Sequence, residues 1–517
     1  VPTTVEAVAL AAPARACTGG FVTHELDHTT TVPGGDQVQM FAANGSGVAI
    51  NDLDNDRDLD VVLANHAGAN TILWNQGGLA FRTERMPHGD SRSVNIVDVD
   101  GDGWLDLIFT RRASGPNYWR NSGSQHFTLD LLPGINKPLY AINWGDLDGD
   151  GDVDLVGGSY DAGLLADFGQ SFLLGGEGGV YYYENRGDRY APMRLASAAQ
   201  ALAIALFDMN GDERPDILVG NDFAVPDQGW VRQGESWVEA TLFSTTSHST
   251  MSFDSGDIDN DGREELFATD MKPYSDDPET MAAWQPLMAE MDHPPLEGDP
   301  QIMANVLQVR DSEGVFRDEA GTRGIDATGW SWSGKFGDLD NDGFLDLYVV
   351  NGMIEAEMFA HLPHHELVEQ NQTLRNDGQG SFVPAREWQL GSRQSGRGMS
   401  MADLDQDGDL DIVVNNLRGA AQLFENRPCG GHSLQVDLFW PESKNTRALG
   451  ARLTLHTSTG TYYRHVAAAS GYLSGDPARI HFGLPAEAEL QALDVQWPDG
   501  RLSKVEPLPQ GLLSVTR

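Results

Sequence analysis

The sequence predicts an all-β fold, a seven-bladed β-propeller followed by a small C-terminal β-sandwich-like domain. An Asp-rich motif of nine residues occurs seven times, a short β-forming run follows each copy, and the 517 residues include 58 glycines, which suit many tight turns. Successive motifs start 46 to 81 residues apart, close to the length of a four-stranded propeller blade once insertions are allowed. Seven motifs therefore predict seven blades.

Each motif is predicted to be a loop between two strands of a blade. The seven copies are DLDNDRDLD from Asp52, DVDGDGWLD from Asp98, DLDGDGDVD from Asp146, DMNGDERPD from Asp208, DIDNDGREE from Asp257, DLDNDGFLD from Asp338 and DLDQDGDLD from Asp403. A further strand, a turn rich in Asn and Gly, and a strand that opens with a large aromatic residue then complete the blade. The predicted openers are Phe81, Phe127, Tyr190, Trp237, Phe316 and Phe382.

The first strand of the chain is predicted to close the ring. No aromatic-led strand follows the seventh motif, whereas Phe21 begins an unmatched strand near the N-terminus. A ring with an open seam would expose an unpaired strand edge, so this strand should complete the last blade. Cys17 precedes that strand and Cys429 follows its expected neighbour, which predicts a disulfide across the seam, with two reduced buried thiols as the alternative.

Composition excludes two classes of partner. The chain has 34 Lys and Arg against 77 Asp and Glu, a net charge of −43, so it repels nucleic acid and anionic lipid surfaces. No apolar run reaches the roughly 18 to 20 residues of a transmembrane helix.

The Ala-rich start at Val1 resembles the end of a signal peptide without its basic leading region, so we interpret it as a processed N-terminus.

The chain divides into three predicted parts. Residues 1–20 form an N-terminal arm, residues 21–430 form the propeller, and residues 431–517 form a separate β domain of about six strands. Two segments interrupt the blade rhythm, at about 271–305 and 352–372, and both are predicted to be helical insertions.

The chemistry of the motif predicts calcium. Carboxylates at positions 1, 3, 5 and 9 surround one point, where each uncompensated pair at about 4 Å would repel by roughly 1 to 4 kcal/mol. A flexible loop of hard oxygen ligands suits calcium better than magnesium, and position 7 can add a backbone carbonyl. Gly at position 6 permits a sharp turn in five of the seven motifs. An EF-hand is excluded because position 12 never carries its Glu.

Up to seven calcium ions are predicted, with a structural role. At a free calcium concentration ten times the dissociation constant, each ion would add roughly 1.4 kcal/mol of stability. The loop at Asp208 is expected to be weak or empty, because Asn210 replaces a carboxylate and Glu213 and Pro215 disturb the turn. Arg57 replaces a turn glycine in the first loop, and Glu265 offers a longer ligand in the fifth. The predicted ligand positions are Asp52, Asp54, Asp56, Asp58, Asp60; Asp98, Asp100, Asp102, Trp104, Asp106; Asp146, Asp148, Asp150, Asp152, Asp154; Asp208, Asn210, Asp212, Arg214, Asp216; Asp257, Asp259, Asp261, Arg263, Glu265; Asp338, Asp340, Asp342, Phe344, Asp346; Asp403, Asp405, Asp407, Asp409 and Asp411.

The seven loops with their apolar strands resemble FG-GAP/VCBS repeats. The stretch GWSWSGKFGDLDNDGFLDLYVVNG from Gly329, the tail GARLTLHTSTGTYYRHVAAASGYLSGDPARIHFGL and the later VQWPDGR resemble the subfamily that ends in an ASPIC/UnbV domain, the cartilage acidic protein-like family. The resemblance implies a secreted, calcium-binding propeller, located outside the cell or at its surface. Members are mostly described as adhesion or interaction proteins, so it implies little about activity.

The predicted function is non-enzymatic binding, adhesion or self-assembly outside the cell, and no catalytic residue is assigned. The partner is predicted to be a protein, a glycan or a second copy of the chain, the last through the N-terminal arm. The alternatives are a carbohydrate-binding module and an enzyme that uses the central funnel. A cluster of acids, His and Trp at one mouth of the funnel would favour the enzyme, and a funnel closed by apolar packing would disfavour it. His361, His364 and His365 form either a transition-metal site or a solvated helix, and Trp330 and Trp332 either core packing or a sugar platform.

Overall fold

The computed structural model describes residues 1–12, 16–33, 37–170, 176–223, 225–291 and 298–517. Seven antiparallel sheets, six of four strands and one of five, form the blades of a β-propeller, which confirms the predicted fold. Strands β1 (Thr4–Val8) and β2 (Gly20–Thr29) precede the first blade. Blades 1 to 4 consist of β3 (Val48–Asn51), β4 (Asp60–Leu63), β5 (Thr71–Asn75) and β6 (Phe81–Arg85); β7 (Ser91–Val97), β8 (Asp106–Arg111), β9 (Asn117–Asn121) and β10 (Phe127–Asp130); β11 (Ala141–Gly145), β12 (Asp154–Gly158), β13 (Val180–Asn185) and β14 (Tyr190–Ala196); and β15 (Ala201–Phe207), β16 (Asp216–Asn221), β17 (Gln228–Gln233) and β18 (Ser236–Ala240).

Blades 5 to 7 carry the short additional strands. Between blades 4 and 5 lies β19 (Thr246–Ser247), which pairs with β23 (Gln301–Ile302). Blade 5 consists of β20 (Ser252–Gly256), β21 (Glu265–Thr269), β24 (Val306–Arg310) and β25 (Phe316–Asp318); blade 6 of β26 (Gly329–Gly337), β27 (Asp346–Asn351), β30 (Gln372–Asn376) and β31 (Phe382–Pro384), with β22 (Met271–Lys272) as a fifth strand; and blade 7 of β32 (Gly396–Ala402), β33 (Asp411–Asn416), β34 (Ala420–Arg427) and β2. The remaining short pair is β28 (Met353–Ile354) with β29 (Glu366–Leu367).

Burial falls from the axis of the ring to its rim. The first strands β7, β26 and β32 are buried at every residue, whereas the fourth strands β6 and β10 have no buried residue. Apolar side chains of neighbouring blades pack together, as Trp74 of blade 1 does with Phe109 of blade 2 in one cluster. Each blade buries both of its faces against its neighbours, so its stability depends on the whole ring.

The N-terminal strand β2 completes blade 7. It pairs antiparallel with β34, and Phe21 lies opposite Asn426. A disulfide joins Cys17 to Cys429, as predicted, with 5.3 Å between their Cα atoms and a sequence separation of 412. The seam of the ring is thus held by backbone pairing and by a covalent bond.

The first insertion contains a helix and the second does not. Helix α1 (Asp161–Phe168) lies in blade 3, where no helix was predicted, and α2 (Pro278–Met291) lies in the first insertion, of which residues 292–297 are outside the described part of the chain. The last α-helix, α3 (Ala320–Arg323), is a single turn, as are the 3-10 helices Pro363–His365 and Arg386–Trp388. None of the described helices is long and apolar enough to cross a membrane.

The prediction of a helix at 352–372 is wrong. The segment is a turn closed by β28 and β29, and it holds only the 3-10 turn at Pro363. Proline has no N–H to donate to a helical hydrogen bond and disfavours a helical residue before it, and Leu362 is accordingly extended. His364 and His365 have φ of 58° and 56°, so the three histidines do not share a helix face.

Residues 431–517 form a two-sheet domain, which we call the cap. Its seven strands are β35 (His432–Phe439), β36 (Arg452–Thr457), β37 (Thr461–His465), β38 (Ile480–Leu484), β39 (Leu490–Gln496), β40 (Leu502–Val505) and β41 (Gly511–Thr516). One sheet has the order β37-β36-β39-β40, and the other has the order β1-β41-β35-β38. The second sheet therefore includes a strand from the opposite end of the chain.

The N-terminal arm is docked on its own chain. Strand β1 pairs with β41 from Thr4 opposite Thr516 to Val8 opposite Leu512. Farther along, the N–H of Ala11 donates to the carbonyl of Gln406 at 2.7 Å. The arm therefore has a docking site within one molecule, and self-association through the arm stays a prediction.

Candidate metal centres beneath the cap

The seven Asp-rich motifs occupy equivalent places in the ring. Each connects the first strand of a blade to the second, and we call them Asp loops 1 to 7. Their residues are 52–60, 98–106, 146–154, 208–216, 257–265, 338–346 and 403–411. Because the first strands of all blades run in the same direction, the seven loops lie on one face of the propeller.

The carboxylate at position 9 is fixed in the same way in every loop. One of its oxygens accepts the backbone N–H of position 2, as Asp60 does from Leu53 at 3.2 Å. The equivalent pairs are Val99 with Asp106, Leu147 with Asp154, Met209 with Asp216, Ile258 with Glu265, Leu339 with Asp346 and Leu404 with Asp411. The longer Glu265 thus makes the same bond as the aspartates.

Positions 1 and 5 are fixed by the turn itself. The position 1 carboxylate accepts the N–H of position 6, and the position 5 carboxylate accepts the N–H of position 7, in all seven loops. Position 6 is left-handed even where it is not glycine, with φ of 81° at Arg57 and 66° at Glu213. The non-glycine turns therefore keep the glycine conformation, at the cost of strain.

Position 4 is a feature that the sequence analysis missed. It has a positive φ in every loop, from 55° at Asn341 to 83° at Gly211. The signal was present in the sequence, since the position holds only Gly, Asn or Gln.

Carboxylates at positions 1, 3 and 9 converge on one point. Three such oxygens, one from each residue, lie within 4.8 Å of one another in loops 1, 2, 5 and 6, and loop 3 brings positions 1, 3 and 5 together in the same way. The buried Oδ1 atoms of Asp54, Asp259 and Asp340 have no hydrogen-bond partner. Buried acceptors without a donor are costly, and a hard cation is the group that such a set of oxygens fits.

The electrostatics of the loops point the same way. Burial, reinforced by the neighbouring carboxylates, raises the pKa of Asp60, Asp106 and Asp154 to about 8. The same causes raise the pKa of Glu265 to about 8 and that of Asp338 to about 8. A cation at the centre of each loop would favour the ionised form and reverse these shifts.

Loops 4 and 5 each contain an arginine whose positive charge pairs with a carboxylate of the same loop. Arg214 at position 7 pairs with Asp212 at 3.0 Å in loop 4, and Arg263 pairs in the same way with Asp261 in loop 5. Loop 4 differs further, because the Nδ2 of Asn210 lies 3.4 Å from Asp216 Oδ1 and donates to it. These contacts occupy oxygens that a metal would need, most extensively in loop 4.

A recurring asparagine connects the blades at the level of the loops, and it was not singled out from the sequence. Asn121 donates from its backbone N–H to Asp106 and from Nδ2 to the carbonyl of Leu53 in the preceding loop. Equivalent Nδ2 bonds join Asn75 to Leu404, Asn376 to Ile258 and Asn426 to Leu339. Arginines bridge to the preceding loop in blades 4 and 5, where Arg232 donates to the carbonyl of Leu147 and Arg310 to that of Asp208. The signal in the sequence is the repeated Asn before a Gly-containing turn.

The cap covers the face that carries the Asp loops. Thr446 donates to the position 1 carboxylate of Asp98, and Gln435 donates to that of Asp403. Further contacts join Arg447 to Asn55 at 2.7 Å, Asn445 to the carbonyl of Gly151 at 2.9 Å, Arg452 to Asp208 at 3.8 Å, His465 to Glu264 at 2.5 Å and His481 to the carbonyl of Gly408 at 2.9 Å. Six of the seven loops thus bond to the cap, and loop 6 packs against it where Gly343 lies beside Tyr462.

A loop of the cap fills the central funnel. This plug, residues 466–479, joins β37 to β38, and its Tyr472 is fully buried with its ring 5.0 Å from Trp332. The plug bonds to the first strands of blades 1, 2, 3, 5, 6 and 7, through Val48, Val94, Asn143, Phe253, Ser333 and Ser400. The axis of the ring is therefore closed by packing and hydrogen bonds.

Two family profiles match the chain. The FG-GAP-like repeat profile matches residues 52–109, 98–157 and 367–414, and the ASPIC and UnbV profile matches residues 441–512. The first set lies in the propeller and includes Asp loops 1, 2, 3 and 7, and the second lies in the cap.

Cartilage acidic protein 1 from three animals is similar to this chain. The protein from Xenopus tropicalis is 29% identical over 175 residues, which cover 32% of this chain and 25% of the relative. The protein from Mus musculus is 23% identical over 522 residues, covering 88% of this chain and 71% of the relative. The protein from Homo sapiens is 31% identical over 113 residues, covering 21% of this chain and 16% of the relative.

Solved structures match this chain at low identity and low TM-score. The BBS1N chain from its complex with ARL6DN has a TM-score of 0.44 and 8% identity, and it matches 79% of this chain and 98% of that chain. The WD40 domain of Neurospora crassa Pan2 has a TM-score of 0.41 and 8% identity, with 80% and 98% matched. The chain thus carries FG-GAP-like repeats in its propeller and an ASPIC and UnbV domain as its cap, and it is a homologue of cartilage acidic protein 1 across most of its length.

Proposed function

We propose that this chain is a secreted propeller whose Asp loops bind calcium, and that it acts outside the cell as a non-enzymatic binding or assembly protein. The partnerless buried carboxylate oxygens of Asp54, Asp259 and Asp340 carry the calcium part of the proposal. Seven-coordinate oxygen sites in flexible loops are typical of calcium, which is abundant outside cells.

The ions would have a structural role in this proposal. They would neutralise carboxylates that lie between the propeller and the cap, so that ring, loops and cap become one unit. The disulfide between Cys17 and Cys429 supports an oxidising compartment.

Closure of the funnel supports binding rather than catalysis at the axis. Tyr472 and its neighbours in the plug occupy the place where a funnel substrate would enter. The alternative of a sugar platform loses support, because Trp330 and Trp332 are 4% and 2% exposed and offer no ring face to a glycan.

The outer rim offers a surface to a partner. Leu129 is 45% exposed in β10, an edge strand of its sheet, and Leu131, directly after it, is 81% exposed. Such an edge can accept a strand of another protein or of a second copy.

Two measurements test this proposal. Ion counting after dialysis into buffered calcium should find at least five calcium ions per chain, since the described loops bring at least five carboxylate groups together. Light scattering with and without a chelator should show whether assembly depends on the ions. If the protein carries no metal at saturating calcium, the proposal of calcium binding is wrong. If it is a monomer that binds neither protein nor glycan, the proposal of a binding or assembly role is wrong.

A second candidate function is the binding of a small molecule, and it is supported by a chamber beside the plug. A cavity of about 630 Å³ lies between the propeller and the cap, within the size range of ligand sites. Lys335 in its wall contacts Asp476 at 2.5 Å, and His465 contacts Glu264 at 2.5 Å. Burial alone would lower the pKa of His465, but Glu264 raises it above its usual value. Charged pairs of this kind are common in catalytic sites.

The chamber is tested by searching for a co-purifying ligand. Native mass spectrometry of the whole protein should show a small molecule that the chamber-narrowing variant Leu206→Trp no longer carries, whereas Leu129→Trp on the rim retains it. Protein of the bare mass in both variants and in the parent would contradict this second candidate.

A further inference from the structure

A buried arginine on the face opposite the Asp loops has donor atoms without a hydrogen-bond partner. Arg92 lies at the beginning of β7, the end of the strand that is remote from Asp loop 2, and it is 3% exposed. Its Nε and Nη1 atoms have no hydrogen-bond partner. A guanidinium stays protonated in proteins, so it remains a buried charge with unsatisfied donors.

Arg397 shows how the same fold satisfies a buried guanidinium elsewhere. It is fully buried, and its Nε donates to the carbonyl of Ala43 at 2.7 Å. Its Nη1 donates to Ser395 Oγ at 3.0 Å and to the carbonyl of Gly352 at 3.1 Å, and its plane stacks on Trp332. The lack of partners at Arg92 is therefore a local feature and not a general property of arginines at this depth.

Arg92 faces a small cavity with two more arginines. The cavity has a volume of about 20 Å³, and its lining includes Arg92, Arg111, Arg112, Tyr140, Tyr160 and Asp167. The buried Nε of Arg111 also lacks a partner. The volume is enough for one small ion but not for a metabolite.

The nearby carboxylates are directed to the outermost arginine. Asp167 lies 3.5 Å from Arg112 Nε, and Asp90 lies 3.9 Å from the same atom. No carboxylate of the described residues is within hydrogen-bonding distance of Arg92. Three arginines against the two carboxylates of Asp90 and Asp167 leave one excess positive charge around the cavity, in a chain whose net charge is −43.

We propose that this cavity is a binding site for a small inorganic anion, which pairs with the unpartnered donors of Arg92 and Arg111. The site lies between blades 2 and 3, on the face opposite the proposed calcium centres, and it is independent of them. Chloride is the anion that an extracellular medium supplies most readily, and a cavity of about 20 Å³ suits it better than the larger sulfate or phosphate. The anion would join β7, the end of β8 and the segment before β11 at the inner edge of two blades.

Anomalous diffraction tests the site directly. Crystals of the whole protein grown in bromide should show an anomalous peak within hydrogen-bonding reach of Arg92, and parallel crystals in sulfate or phosphate should show whether an oxyanion takes the same place. The variant Arg92→Met should lose the peak, whereas Arg82→Met, an exposed arginine of blade 1, should retain it. Absence of density for any of the three anions in the parent protein, or a peak that persists in Arg92→Met, would overturn the proposal.

A solution measurement keeps the test independent of whether the variant folds. At constant ionic strength and constant free calcium, replacing gluconate by chloride should raise the thermal midpoint of the parent protein by about 1 °C or more. The shift should disappear in Arg92→Met and remain in Arg82→Met. An equal midpoint in both salts for the parent protein would contradict a specific anion.

Discussion

At the scale of single residues, the Asp loops combine strong constraint with missing partners. Positions 1, 5 and 9 are held by backbone N–H groups of their own blade, whereas position 3 of loops 1, 5 and 6 keeps a buried oxygen without a donor. The first set shapes the loop whether or not an ion is bound. Position 3 is thus the place where a substitution separates ion binding from folding.

Asp340→Asn is expected to remove one calcium site and leave the fold intact. The amide has the shape of the carboxylate but carries no charge, and Asp340 Oδ1 has no bond to lose. In calcium at ten times the dissociation constant, the loss should cost roughly 1.4 kcal/mol of stability, whereas in chelator the variant should be at least as stable as the parent, because a buried charge beside Asp342 is removed. Calorimetric calcium titration should count one site fewer. Asp188→Asn, on an exposed turn, serves as the control, and a full complement of sites in Asp340→Asn would contradict the assignment.

The raised pKa values of the loop carboxyls predict that the stability of the ion-free protein falls as pH rises, whereas calcium affinity increases. Burial raises the pKa of Asp60 and Asp106 to about 8 and that of Asp52 to about 6 when no ion compensates them. Between about pH 4 and pH 8 the folded ion-free protein therefore binds more protons than the unfolded chain, and its stability falls as pH rises. Calcium binding releases those protons, so affinity rises over the same window.

Thermal unfolding from pH 5 to pH 8 checks this prediction. The difference in midpoint between calcium-loaded and calcium-free protein should widen steadily with pH. A difference that stays constant across this range would show that the carboxyls do not control ion binding.

At the scale of elements, the loops and strands were predictable because their signals are local. The seven motifs and their β-forming flanks predicted seven blades. The absence of a fourth strand after the seventh motif predicted that β2 completes the last blade. The helix predicted at 352–372 was wrong because Pro363 removes a donor and extends Leu362. Position 4 of the loops and the recurring asparagines were visible in the sequence but acquire meaning only from φ angles and inter-blade bonds.

The inter-blade asparagine is expected to stabilise the ring. Asn376→Ala removes Nδ2 bonds of 2.7 Å to Ile258 and 3.0 Å to Leu345 and leaves those buried carbonyls unpaired, which should cost about 1 to 3 kcal/mol. Asn185→Ala is the matched control, because its Nδ2 bonds stay within its own blade. Chemical denaturation of both variants should show the larger loss for Asn376→Ala, and equal losses would remove the inter-blade role.

The disulfide is expected to stabilise the closed ring by about 5 kcal/mol, because it constrains the unfolded chain over a very long loop. A reducing agent should therefore lower the thermal midpoint of the parent protein. The double variant Cys17→Ser with Cys429→Ser should already have the lower midpoint and should not respond to the reductant. A parent protein that is indifferent to reduction would contradict a stabilising bond.

At the scale of the whole molecule, the cap decides what the Asp loops can do. Sequence patterns placed the loops in one ring and the cap in a separate domain, but nothing in them indicated that the two face each other. That arrangement depends on contacts between residues hundreds of positions apart, such as Thr446 with Asp98 and Gln435 with Asp403. The plug and the closed funnel were likewise invisible in the sequence, since Tyr472 lies in an ordinary Gly-containing loop.

Removal of calcium is expected to loosen the cap before the blades open. Without ions the position 1 carboxylates that bond to Thr446 and Gln435 repel their neighbours or take up protons, which weakens the interface. Hydrogen exchange after chelation should become faster in the plug and at residues 443–447 than in the first strands β7 and β26. Equal protection of cap and blades in chelator would contradict this coupling.

The path of the two chain ends has a consequence for biosynthesis. Strand β2 finds its partner only when residues 420–427 exist, and β1 finds its partner only when residues 511–516 exist. The first thirty residues therefore cannot reach all of their final neighbours during synthesis of blades 1 to 6, because β2 waits for β34 and β1 waits for β41. Until then, the newly made N-terminal segment is a free strand that a chaperone or a second nascent chain can capture.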